Sequence, residues 1–324
     1  MHFARDTGLK RSHLPLMKKL FLAGLALFAA PLSAQGSAPF VIAETGQAFT
    51  RLQQAVDAVG DRDATIRIAP GRYRDCAVQT AGRITFAAAQ PGTVVFDGTP
   101  CEGKAALVLR GRGARVEGLT FQNLRVPDGN GAGIRLEKAN LHVVETLFRD
   151  SEEGILTGND LQSEIVIERS TFSGLGRCDR GLSCAHSLYI GNYGSLKVIR
   201  SRFERGNGGH YVKTRTERVE IVDSSFDDSR GRATNYMIDL SNGGTGLIAR
   251  NVFVQGPNKE NYSALIAVAP EGVWHPSKLV VTDNQASLAP GFDKRTSFIA
   301  DHSGDQIRAE RNKLAARITP FERR

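Results

Sequence analysis

Tyr211, Lys213 and Arg215 occupy alternate positions in GHYVKTRTERVEIVDSSF, residues 209 to 226. In a β-strand that spacing puts all three on one face and Val212 on the other. A phenol and an amine can move protons, and a guanidinium can hold a carboxylate or stabilise a developing anion. A solvated strand face would tolerate the same row, so the flanking phrases matter. CAHSLYIGN (184–192) comes before it and NYMIDLSNGG (235–244) after it. With Leu188, Ile190, Ile238 and Leu240 inward, Tyr189, Asp239 and Met237 face out. His186 and His210 then stand at the strand entries, and Tyr236 and Asn242 read as packing and turn residues. A slip of one residue would exchange the two faces.

These phrases belong to a repeat. A β-branched run, a polar pair and an aromatic recur at Phe121, Phe148, Phe172, Phe203, Phe226 and Phe253, at intervals of 27, 24, 31, 23 and 27 residues. Each unit also contains an earlier alternating run. Short strands joined by Gly, Asn and Asp turns cannot bury a core singly, but coils stacked about 4.8 Å apart can. The expected fold is all-β, a parallel β-helix from about residue 41 to 314, with the aromatics stacked inside. A β-sandwich would not need one phrase repeated every two dozen residues. Ala48, Phe49, Leu52, Ala55, Val56 and Val59 fit one face of a helix that caps the open end. The 31-residue interval holds Cys178 and Cys184 and so carries a tied-off loop.

The start of the chain has the features of an export signal. Met17-Lys18-Lys19 is basic, Leu20 to Ala30 is apolar, and Ser33-Ala34 offers a cleavage site, although Leu32 is not ideal. Residues 1 to 16 read as an upstream extension, residues 1–34 as leader and residues 35–324 as one domain. The apolar run is too short for a membrane span, which needs about 20 residues. The full chain has a net charge of +8; residues 1–34 hold five Lys/Arg and one acid, so 37 bases face 33 acids in the remainder, +4. That suits a polyanionic ligand and, in an exported protein, points away from nucleic acid. Four cysteines fit an oxidising compartment, periplasmic or extracellular, and Cys76–Cys101 with Cys178–Cys184 is the favoured pairing of three.

TIRIAPGRYRD (65–75), a strand with a Pro-Gly-x-Tyr turn after a short helix, resembles the opening of the pectate-lyase-like, single-stranded right-handed parallel β-helix superfamily. KTRTERVEIVDSSF is similar to the base-bearing coil of the alginate lyase and chondroitinase B family. That resemblance implies Lys213 as base. The family's arginine acid is missing, since the next coil reads MIDLSNGG, and its acidic calcium set is not evident. Glu152 and Glu153 are possible ligands, with a solvated pair as the plainer reading.

The expected function is cleavage of an acidic, uronate-containing polysaccharide by β-elimination. Lys213 would be base, its pKa lowered by Arg215; Arg215 would clamp the carboxylate; Tyr189, His210 or His186 would be acid. These five residues would share one exposed groove. Asp239, Tyr211 and Asn242 would contact substrate. No cofactor is required, calcium is an option, and a monomer is expected. C5-epimerisation, glycoside hydrolysis through paired carboxylates, and glycan binding without catalysis are the alternatives. A single tryptophan, Trp274, offers little of the aromatic platform that binding alone would call for.

Overall fold

The computed structural model describes residues 38–324, so the leader expected over residues 1–34 lies outside the described residues. Three sheets, of twelve, ten and ten strands, form the described residues; all pairings are parallel except those of strand Phe40–Ile42 in the first. From Asp63–Ile68 onward, consecutive strands go to different sheets, and each inner strand pairs with the strand one coil earlier and one coil later. The β-helix expected from the repeat is therefore present; its parallel coils extend from Asp63–Ile68 to Ile318–Arg323, with Phe40–Ile42 added antiparallel beside the first.

The recurring phrase builds one corner of every coil. Phe96, Phe121, Phe148, Phe172, Phe203, Phe226 and Phe253 are buried and stacked at centroid spacings of 5.5, 5.4, 4.9, 4.7, 4.9 and 5.0 Å. From Phe172 onward the polar residue two places before the aromatic closes a second ladder. The backbone N–H of Ser170 donates to Ser201 Oγ at 3.2 Å, that of Ser201 to Ser224 Oγ at 3.0 Å, and that of Ser224 to Asn251 Oδ1 at 2.9 Å. These side chains satisfy backbone donors that the bend takes out of the sheet. Just before them, Arg169, Arg200, Asp223 and Arg250 have φ of 45°, 49°, 54° and 57°. The left-handed residue turns the chain, the Ser or Asn pins the turn, and the Phe fills the corner.

Helix Leu52–Val59 buries Leu52, Ala55, Val56 and Val59 and closes the first coil. Ala48 and Phe49 are not in it. They pair antiparallel with Phe40 and Val41, because the helix starts where Asp75 Oδ2 accepts the Leu52 N–H at 3.0 Å. Both disulfides join as expected, Cys76–Cys101 at 2.05 Å and Cys178–Cys184 at 2.07 Å. No helix among the described residues is long and apolar enough to cross a membrane.

Candidate functional site

Strands Leu188–Ile190, Val212–Thr214 and Ile238–Leu240 are neighbours in the third sheet. Leu188, Val212 and Ile238 align and point into the core, and Tyr189, Lys213 and Asp239 align on the outside. Followed toward the N-terminus, the outer ladder continues through Leu156 to Arg135.

Alternation holds only inside these three-residue strands. Tyr211 and Met237 precede them, at the bend, and both turn into the core. Tyr211 therefore does not face out beside Lys213 and cannot touch substrate. Its hydroxyl donates to Asp228 Oδ1 at 2.7 Å, in a buried cluster with Thr234 and the Lys259 ammonium.

Lys213 faces outward but is not exposed. Its ammonium donates to Asp239 Oδ2 at 2.9 Å and to Glu271 Oε1. Burial acts against the charge, yet Asp239 and Glu271 outweigh it and raise the lysine pKa. The lowering expected from Arg215 does not occur, because Arg215 is itself paired with Glu271 at 2.5 Å. Lys213 thus holds its proton and is not poised as a base. Asp239, 1% exposed, gives its Oδ2 to this pair, and its other oxygen lies buried away from solvent.

Of the two histidines, His186 is buried and His210 is nearly so, neither lying open in a groove. Their rings stack at 4.8 Å, His210 stacks in turn on Tyr236 at 5.5 Å, and His186 meets Tyr189 edge-on at 5.3 Å. The His210 backbone N–H donates to His186 Nδ1 at 3.0 Å, which leaves the His186 proton on Nε2. Burial drives His210 down to about 3 and His186 well below its usual value, so both are neutral. They form a stacked wall behind Tyr189. Asn242, fully buried, accepts from Arg215 Nη1 at 2.5 Å, and its backbone carbonyl accepts from the N–H groups of Trp274 and His275. It latches the 269–276 loop instead of contacting solvent.

Of the five proposed catalytic residues, Tyr189 and Arg215 line a cleft of about 580 Å³. Arg135, Glu153, Leu156 and Trp274 complete its floor and rim, and Ser183 and Cys184 of the disulfide loop lie against it. Arg215 Nε donates to the Tyr189 hydroxyl at 3.3 Å, and its guanidinium lies 5.4 Å from the Trp274 ring centre. Trp274 is 58% exposed and stands at the cleft. The expectation that the lone tryptophan adds little is therefore corrected.

Glu152 and Glu153 are not a solvated pair; each is 1% exposed. Glu152 Oε2 accepts from the backbone N–H groups of Val126 and Gly131, and Arg180 pairs with its other oxygen. Glu153 keeps Oε2 buried without a partner, and burial pushes its carboxyl well above the usual range. Arg135 and Glu271 escape sequence reasoning. Arg135 lies in a coil without the His/Tyr/Lys signal, and Glu271 comes from a loop well after the patch. No group of three or more His, Cys, Asp or Glu side chains that could hold a metal occurs among the described residues.

No curated protein matches the sequence. Among solved structures, ORF18 of Geobacillus virus E2 is 12% identical with a TM-score of 0.46, over 83% of this chain and 55% of the viral one. The chain thus spans about half the length of that protein. PfbA, a surface adhesin of Streptococcus pneumoniae, is 13% identical with a TM-score of 0.46, over 83% of this chain and 88% of its own. These likenesses concern fold alone. A family model for the right-handed β-helix region matches residues 105–290, more than half of the sequence, and the chain belongs to that family.

Proposed function

We propose that the cleft binds an acidic, uronate-containing polysaccharide outside the cytoplasm and cleaves it by β-elimination, with Tyr189 moving the proton. The observation that carries this reading is the Tyr189 hydroxyl on the cleft floor with Arg215 Nε–H donated to it. That N–H occupies an oxygen lone pair and leaves the oxygen's other positions to the substrate. Arg215, bonded through Nε, Nη1 and Nη2 to Tyr189, Asn242 and Glu271, keeps one further N–H on each Nη for a uronate carboxylate, and Trp274 presents a ring face to the sugar.

In the reaction, the Tyr189 oxygen, as phenolate, takes the proton from the carbon beside the carboxylate. The electron pair becomes a C=C bond as the glycosidic C–O bond breaks, and Tyr189 returns the proton to the leaving oxygen. Lys213, 5.7 Å from the Tyr189 ring centre, and Arg215 place two cations beside the reacting oxygen, offset in the resting site by Asp239 and Glu271. Lys213 acts as a fixed cation here and not as the base. Glu153 is the one carboxylate among the residues lining the cleft, whereas hydrolysis in its usual form calls for two.

The test is incubation with a panel of uronate polymers, followed by ultraviolet absorbance of the unsaturated product. Tyr189→Phe should lower the rate by about 10² to 10⁴ while binding persists. New reducing ends without that absorbance would mean hydrolysis, and solvent deuterium entering an intact polymer would mean epimerisation. Binding with none of these changes would leave a non-catalytic glycan receptor.

A further inference from the structure

The distal half of the cleft contains two side chains that each keep a polar atom without a partner. Arg135 sits in the outer ladder, aligned with Leu156 and two strands before Tyr189. It is half-buried, its Nε is buried without a hydrogen-bond acceptor, and it makes no ion pair among the described residues. Most other cleft-side cations are tied: Arg215 to Glu271 and Asn242, Arg180 to Glu152, and Lys213 to Asp239 and Glu271. Beside Arg135, Glu153 is 1% exposed and its Oε2 has no partner. A buried polar atom without a partner costs roughly 1–3 kcal/mol, so two in one cleft mark places where a ligand's groups belong.

We propose that Arg135 and Glu153 form a second subsite, in which Arg135 holds the carboxylate of another uronate and Glu153 hydrogen-bonds a hydroxyl of the same sugar. The inference rests on the acidic-glycan reading of the cleft and names the form of its substrate. The strand of Arg135 lies three steps from the strand that leads into Arg215, about 14 Å at the usual inter-strand spacing. One sugar ring cannot bridge that distance. The ligand is therefore an oligomer with acidic groups on at least two separated residues, laid across successive coils. Burial pushes the Glu153 carboxyl toward its protonated form, which can donate to the sugar and does not repel a neighbouring carboxylate.

Binding is measured by titration calorimetry on the full chain carrying Tyr189→Phe, so that the ligand survives. The probes are homo-oligomers of galacturonate, mannuronate, guluronate and glucuronate, from dimer to hexamer. The expected result is an affinity that rises with length. Arg135→Ala, with Arg135→Gln as the milder variant, should remove about tenfold to a hundredfold from the hexamer and leave the dimer unchanged, as for loss of one charged hydrogen-bonding group. Folded state is checked by melting temperature, and whichever of the two variants melts as the parent does supplies the reading. A length dependence that survives in both variants overturns the second subsite while the acidic-glycan reading stands. If no uronate oligomer binds the parent, both fall together.

Discussion

Lys213 shows how a residue's type can suggest one role and its surroundings impose another. Its ammonium is fixed between Asp239 and Glu271. Removing one partner of a buried pair leaves the other charge uncompensated, typically at about 3–5 kcal/mol. Glu271 is partly exposed, so the lower end applies. Lys213→Met should cost about 3 kcal/mol in chemical denaturation; an unchanged midpoint would show Lys213 to be a solvated surface group. Glu153 gives a signed pH effect. Its folded-state pKa lies above the ordinary 4.5, so the folded protein binds the proton more tightly than the unfolded chain. Stability is lost as pH rises from that ordinary value through the elevated one. Glu153→Gln removes the penalty. The variant should melt near the wild type at acidic pH and progressively above it toward neutrality. Parallel melting curves across that range would place Glu153 in contact with water.

The element that sets the register of the whole site is the corner ladder. Phe172 lies mid-stack, 4.9 Å from Phe148 and 4.7 Å from Phe203, with no exposed surface. Phe172→Ala should cost about 3–5 kcal/mol, since the neighbouring coils cannot collapse into the gap without breaking strand pairing on either side. Calorimetric unfolding checks it, and a loss under 1 kcal/mol would show the stack to be dispensable. The ladder was legible because it is periodic: from Phe148 to Phe253 each Phe follows a Thr, Ser or Asn by two places, and the turn before it recurs. The two-residue strand Ala48–Phe49 was not. Its spacing matches a helix face, and a carboxylate more than twenty residues later, Asp75, decides where the helix begins.

At the scale of the molecule, a solenoid gathers side chains from successive coils, so a site can be read by aligning phrases. Aligning CAHSLYIGN, GHYVKTR and NYMIDLSNGG correctly set Tyr189, Lys213 and Asp239 side by side. The sequence by itself therefore determined the coil, the inward aromatics and the row of Tyr189, Lys213 and Asp239, because these follow from short-range alternation and a fixed repeat. The cysteine pairing, one of three open to the sequence, is fixed by the structure. Which members of that row meet solvent was settled only by tertiary structure. Asn242 holds the 269–276 loop, and Glu271 from that loop covers Lys213 and neutralises it. The bends before the strands turn Tyr211 and Met237 inward, where alternation no longer applies. Arg135 joins Tyr189 in one cleft although no local pattern links them. Burial and counter-charge depend on chain segments that are distant in sequence, and a repeat pattern carries no information about which of them will arrive.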